Sequence, residues 1–168
     1  MKILLLSDTH SYIDDAILKH VKEADEVWHA GDIGNVNVTH QIKLHTKLRA
    51  VYGNIDDHKI RQEFPEFLHF EAEGVVVWMT HIGGYPGKYA PKVRTHLLHH
   101  RPQLFICGHS HILKVMNDKK YELLHMNPGA CGIHGFHQQR TMLKFEINKG
   151  KIEHLFVIDL GKRGAKTV

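Results

Sequence analysis

Short apolar runs alternate with amphipathic stretches through the first third of the chain. Ile3, Leu4, Leu5 and Leu6 form a continuous apolar run that stops at Ser7, so residues 2–6 are expected as a buried strand. Ile13, Ile17, Leu18 and Val21 recur at helical spacing and predict a helix over 13–22. A second strand is expected at 26–29, a second helix at 36–47 and a third strand at 49–52. This β-α-β-α-β order is the signature of parallel strands joined by crossover helices.

The pattern then changes. Residues 67–72 and 75–80 read as two strands joined at Glu73 and Gly74. A helix is expected over 91–100 and a strand over 104–107. Strands at 113–117 and 121–125 flank the polar turn Asp118, Lys119, Lys120. A last hairpin, 141–148 and 151–160, closes around Lys149 and Gly150. An antiparallel half joined to a parallel half predicts an α/β fold, a layered sandwich of two mixed β-sheets with helices outside. Neither a repeat nor a linker interrupts the pattern, so residues 1–160 are expected as a single domain. Residues 161–168 are expected as a basic C-terminal tail, mobile and carrying Lys162, Arg163 and Lys166.

Composition narrows this only slightly. The apolar runs are all far shorter than the roughly 20 residues that span a bilayer, and the first is too brief for the core of a secretory signal. No membrane association is expected. The two cysteines, Cys107 and Cys131, give no disulfide framework and no CxxC pair, which favours a reducing cytoplasm. The formal charge of +4 is partly an effect of the tail and makes no extended basic groove. The excess is in histidine, 17 residues, too many to dismiss as surface polarity alone.

Five strand ends carry groups able to bind a metal. Asp8 and His10 follow the first strand, Asp32 the second, Asn54 the third, His81 the strand over 75–80, and His109 and His111 the strand over 104–107. Sites in α/β sheets form where strand C-termini converge, so residues distant in sequence can meet there. If the segments are extended, Asp8 and His10 point to one side, as do His109 and His111. Gly31, Gly53 and Gly108 each precede a proposed ligand and permit close backbone approach. Seven donors are too many for one tetrahedral ion and suit two ions sharing a carboxylate. Imidazole favours Zn, Mn, Fe, Ni or Co over Ca or Mg, and the absence of cysteine argues against a closed structural zinc site.

Each motif has a plainer explanation when taken singly. Asp8 could cap the following helix. Gly31-Asp32 and Gly53-Asn54 are ordinary turn pairs. His81 could be a satisfied core histidine, and Lys88, Lys92 and Arg94 a solvated helix face. His29, His125, His134 and His137 read as structural or surface residues. The metal interpretation prevails because all five motifs occur in order, each at a strand end.

That series, Asp-x-His, Gly-Asp, Gly-Asn, His and Gly-His-x-His, resembles the calcineurin-like metallophosphoesterases. The short chain and Asn127-Pro128-Gly129 resemble in particular the compact YfcE-like phosphodiesterases, whose fold the small retromer subunit of eukaryotes shares. The resemblance implies a four-layer sandwich. It implies two divalent transition-metal ions, manganese favoured, one held by Asp8, His10 and His111 and the other by Asn54, His81 and His109. Asp32 would bridge them. A water between the ions would attack phosphorus in line with the leaving oxygen. Asp32, Asn54, Asp56 and His109 are then the expected catalytic residues, Asp56 matching an acidic residue of the family.

One departure bears on the chemistry. Many family members carry a histidine after Gly-Asn as general acid, and here Ile55 stands in that place. YfcE-like members commonly lack it too. General acid assistance contributes about 10²–10⁴-fold, so esters with poor leaving groups should suffer most. Asp57, His58, His134 and His137 are candidate replacements. A second departure puts Gly83 where relatives often have another histidine. The expected function is a metal-dependent phosphodiesterase acting on a small or activated phosphate ester. The rivals are a non-catalytic interaction scaffold of the same fold, and a phosphomonoesterase or nuclease. Long nucleic acid is disfavoured by the short chain, and the oligomeric state, including a homo-oligomer, is open.

Overall fold

The computed structural model describes residues 1–164. The chain begins β1 (Lys2–Leu6), α1 (Asp15–Val21), β2 (Glu26–His29), α2 (Val36–Lys43), β3 (Lys47–Ala50) and α3 (His58–Glu63). It continues through β4 (Phe67–Ala72), β5 (Val75–Thr80), β6 (Gly84–Tyr85), β7 (Lys88–Tyr89), α4 (Pro91–His100) and β8 (Leu104–Ile106). Four longer strands follow, β9 (Leu113–Asp118), β10 (Leu123–Pro128), β11 (Gln139–Asn148) and β12 (Lys151–Lys162).

The strands form two five-stranded sheets, ordered β12-β11-β1-β2-β3 and β4-β5-β8-β10-β9, with β6 and β7 as a separate ribbon. Both sheets are mixed. β1, β2 and β3 run parallel while β11 joins β1 antiparallel. β5, β8 and β10 run parallel between antiparallel edge strands β4 and β9.

Strand alternation sorts the side chains into layers. Ile3, Leu5 and Trp28 of the first sheet meet Val75, Val77, Met79, Leu104 and Ile106 of the second in a central core. Leu4, Leu6 and Val27 point the other way, onto Ile17, Val21, Val38, Ile42 and Ile60 of α1, α2 and α3. Trp78 and Phe105 face outward onto Val93 and Leu97 of α4. This is the four-layer α/β sandwich expected, helices outside and two sheets between.

Local chemistry sets the helix ends. Asp14 caps α1, its carboxylate accepting from the Ile17 N–H at 2.9 Å, so Asp8 has no capping role there. Asn35 caps α2 in the same way. Pro91 opens α4, where a missing N–H costs nothing, and Arg101 closes it with φ of 42°.

Several elements differ from the sequence expectation, among them the unexpected short strands β6 and β7. Helix α2 ends at Lys43, and Thr46 then donates its hydroxyl to the Ala24 and Asp25 carbonyls, so β3 starts at Lys47 rather than 49. Helix α3 was not expected. β10 runs to Pro128 rather than ending at 125, so Asn127 and Pro128 pair with Lys114 and Leu113, and Gly129 follows with φ of 73°. β12 continues to Lys162, and Arg163 donates from its backbone to Gln138 and from its side chain to the His137 carbonyl. The start of the expected mobile tail is therefore ordered sheet edge, and residues 165–168 of it lie outside the described residues.

Candidate metal centre

The loops after β1, β2, β3, β5 and β8 meet at one end of the two sheets. The β1 and β2 loops continue as a matched pair. The N–H groups of Asp8, His10 and Ser11 donate to the carbonyls of Gly31, Asp32 and Ile33 at 3.0, 3.0 and 2.8 Å. This ladder is not extended. Asp8, His10, Ser11, Asp32, His109 and His111 all have φ between 47° and 69°, the left-handed region that non-glycine residues avoid. Asp8 and His10 therefore converge through left-handed turns, as do His109 and His111, and not through the extended geometry expected. Strain of this kind concentrates at functional sites and persists where packing over-determines it.

Three glycines leave the space. A Cβ at Gly31 would lie 2.6 Å from the His81 ring, one at Gly53 2.0 Å from Asp32 Oδ1, and one at Gly108 2.0 Å from Ser7 Oγ. Each lets a strand-end side chain press directly on neighbouring backbone.

The donors fall into two groups, Asp8 with His10 and His111, and Asp32 with His81 and His109; within each, the ligand atoms lie within 4.8 Å of one another. Asp32 touches both groups. Its Oδ2 is 3.6 Å from His10 Nε2 and its Oδ1 is 3.2 Å from His81 Nε2. His111 Nε2 is 3.1 Å from Asp8 Oδ1 and 3.4 Å from His10 Nε2. Asn54 is exposed, on the loop that follows β3. Its loop joins the centre through Gly53 and through the Ile55 N–H, which donates to Asp32 Oδ1 at 3.1 Å.

Asp8 Oδ1 and His81 Nε2 are buried and form no hydrogen bond. Orphaned buried polar atoms are costly unless something else satisfies them. Both are lone-pair donors aimed into a cluster of carboxylates and imidazoles. This donor set suits divalent transition cations, and either group could hold one.

Electrostatics prepares the donors. Burial lowers the pKa of His10 and His109, though Asp32 and Asp8 partly oppose it, so these rings favour their neutral form. Burial also disfavours charge on His81, but the neighbouring Asp32 and Asp8 carboxylates outweigh it and raise its pKa. For Asp32 burial opposes ionisation, and His81 with the Ile55 N–H wins, lowering its pKa. With His81 Nδ1 2.8 Å from the Ala30 carbonyl, that nitrogen must be the donor, which leaves Nε2 facing the carboxylates.

Surrounding residues hold the loops. Asn127 Nδ2 donates to the Gly108 carbonyl at 2.9 Å and to Ser110 Oγ at 3.1 Å, bracing the segment that carries His109 and His111. Buried His29 accepts from the Gly31 N–H and pairs with Thr9 Oγ1 at 2.9 Å, a structural role as expected. Asp56, expected as a catalytic residue, is buried. Its carboxylate accepts from the Ile33, Gly34 and Gly53 N–H groups at 3.2, 2.7 and 2.7 Å, so it ties the Asp32 and Asn54 loops together. Arg61 does the same from α3, donating to the carbonyls of Asp56, Gly53 and Asn54. Neither Arg61 nor the α3 that positions it was singled out in the sequence. Asp57 caps α3. His134 is exposed, its ring centroid 6.4 Å from that of His10.

Beside Asn54 and His81 opens a cleft of about 560 Å³ lined by Tyr52, Phe67, Ile82 and Val93, with Arg61 and Lys92 on its polar side. Cys107 and Cys131 are buried free thiols remote from any ligand role, both pushed up to about 12 by burial. Among the described residues no helix is long and apolar enough to cross a membrane.

Two mixed sheets back to back, with carboxylates and imidazoles gathered at their convergent strand ends, define a metallophosphoesterase-like fold. The comparisons agree and go further. Residues 1–150 match the model of the calcineurin-like phosphoesterase superfamily domain, and the chain belongs to that superfamily. A probable metallophosphoesterase of Methanothermobacter thermautotrophicus is 27% identical over 137 residues, covering 77% of each chain. Among solved structures, Vps29 of Entamoeba histolytica complexed with Zn²⁺ superposes with a TM-score of 0.73 at 15% identity, covering 95% of this chain and 99% of that one. An archaeal phosphodiesterase gives 0.70 at 20% identity, covering 94% and 100%.

Proposed function

We propose that this protein is a two-metal phosphodiesterase that cleaves a small or activated phosphate ester. The observation that carries the proposal is Asp32, whose two carboxylate oxygens face opposite donor groups, 3.6 Å from His10 and 3.2 Å from His81. In this reading Asp8, His10 and His111 hold one ion, Asn54, His81 and His109 the other, and Asp32 is shared. Asn54 is exposed on a loop whose backbone adjoins the cluster through the Ile55 N–H. Two such ions supply an activated water and neutralise charge that develops on the phosphoryl oxygens. Manganese fits the mixed imidazole and carboxylate set, and a cytoplasmic setting fits the two free thiols.

The chain's own residues divide the remaining work. Ala30 and Asp56 orient His81 and the Asp32 loop, so the donors are positioned before substrate arrives. His109, the most exposed member of its group, can also meet a phosphoryl oxygen. The cleft beside Asn54 accepts the organic part of a small ester against Tyr52, Phe67 and Ile82, while Arg61 and Lys92 favour an anion. Ile55 is exposed and donates no proton, which restricts turnover to esters whose leaving groups need little assistance. Asp32→Ala should reduce cleavage of an activated aryl diester by at least about a hundredfold, on the scale of losing a preorganised electrostatic group, with the fold intact by circular dichroism. Unchanged turnover in that variant would sink the proposal.

A second reading is a binding scaffold. Ile55 and the likeness to Vps29 favour it. It predicts two bound ions with no turnover of diester or monoester.

A further inference from the structure

The glycine-bearing loop after Cys131 contributes to the centre without offering a ligand. Gly132 donates its N–H to the Asp8 carbonyl at 3.2 Å, and a Cβ there would lie 2.4 Å from the Thr9 carbonyl oxygen. The loop is thereby seated on the backbone that carries Asp8 and His10. Three residues on, Gly135 has φ of 122°, and a Cβ on it would lie 2.2 Å from His111 Nδ1 and 3.3 Å from His137 Nδ1. Only glycine leaves room at that point for the two imidazoles to meet. They do meet: His111 Nδ1 is 3.2 Å from His137 Nδ1, with ring centroids 5.1 Å apart in an edge-on arrangement. The far nitrogen of His137, Nε2, is 3.0 Å from the Gly132 carbonyl oxygen.

Proton bookkeeping along this chain has one solution for neutral rings. A carbonyl can only accept, so His137 Nε2 carries a hydrogen and donates to Gly132. A neutral imidazole has a single N–H, so His137 Nδ1 is bare and accepts. His111 Nδ1 must then be the donor, which leaves His111 Nε2 bare, 3.1 Å from Asp8 Oδ1 and 3.4 Å from His10 Nε2. Two lone pairs at that separation repel unless a cation lies between them.

We propose that His137 is a positioning residue that locks His111 in the tautomer able to bind a metal ion, through a Gly132–His137–His111 relay. Partners of this kind commonly fix the tautomer of a ligating histidine, usually as a carboxylate or a carbonyl. Here a second histidine stands between the ligating ring and the carbonyl, His137 meeting His111 at one nitrogen and Gly132 at the other. The inference rests on the reading that Asp8, His10 and His111 hold an ion. The relay itself can be judged with no metal present.

The test uses the full chain after chelation, with its histidine ring nitrogens labelled with ¹⁵N and His111 assigned by its loss in His111→Gln. Long-range ¹H–¹⁵N spectra distinguish a bare Nε2 from a protonated one. The proposal expects His111 as the Nδ1–H tautomer in the wild type and a mixture of tautomers in His137→Leu. On adding Mn²⁺ or Zn²⁺, competition with a chelator should show affinity at one of two ions weakened about 10–100-fold in His137→Leu. His137→Asn, which restores an acceptor at the position of Nδ1, should recover most of that loss. A wild-type His111 protonated on Nε2, or a His137→Leu protein that keeps both tautomer and affinity, overturns the proposal. A wild type that binds no ion but shows the locked tautomer would sink the metal reading and leave the relay standing.

Discussion

Asp56 matches a family position, and its carboxylate holds two loops of the centre together. Both of its oxygens are consumed by three backbone N–H groups, and it is 3% exposed. Asparagine has one acceptor oxygen in place of two and would turn an amide N–H toward a donor. Asp56→Asn should therefore cost about 1–3 kcal/mol by urea unfolding, the range for buried donors left unpaired. A catalytic acid would instead lose turnover with stability unchanged. The six carboxylate and imidazole residues that gather into two groups were legible because each is a metal-binding residue type at a strand end. Their left-handed backbone was not, since nothing in Asp-x-His spelling distinguishes an extended pair from two residues at φ of 56° and 47°. The link from His137 to His111 was also hidden, because it joins residues 26 apart through a contact that only Gly135 permits.

Among the elements, those with strong patterns were readable and short ones were not. β1 and β5 were read to the residue because their apolar runs end abruptly at polar groups. α3 is six residues long and buries only Ile60, too little to produce a period. Its one sequence signal was Asp57, whose carboxylate accepts from the Lys59 and Ile60 N–H groups at 3.0 and 3.2 Å. Asp57→Ala should cost about 1 kcal/mol, measured as a shift in the urea midpoint. Because α3 carries Arg61, the same change should loosen the Asn54 loop, visible as faster amide exchange at Gly53 to Asp56. α2 was read four residues too long because exposed Leu44, its C-cap residue, continues the apolar pattern beyond Lys43. The end of β10 was set three residues short because proline disfavours the interior of a strand.

For the whole molecule, buried neutral imidazoles set the acid limit. Burial lowers both His29 and His125 to about 4, the Asp56 and Asp8 charges opposing it for His29 and nearby Lys114 adding to it for His125. Unfolding returns each ring to the ordinary value of 6.5. Above that pH neither state binds the proton and nothing is lost. Below it the unfolded chain takes up a proton that the fold refuses, so stability falls with pH and the loss levels off near the folded pKa values. Chelated protein should lose stability steadily from pH 7 to pH 4.5 by denaturant titration, and His125→Phe should flatten that slope. An equally steep slope in the variant would assign the loss elsewhere.

The central claim is that two ions gathered by these strand ends carry out ester cleavage. The most direct measurement is metal content beside hydrolysis of an activated aryl diester and its monoester, with Mn²⁺ and with chelator, on the wild type and Asp32→Ala. The account predicts about two ions per wild-type chain, diester cleavage that chelator abolishes, and neither property intact in Asp32→Ala. Two ions with no turnover of either ester, or turnover indifferent to chelator, would contradict it.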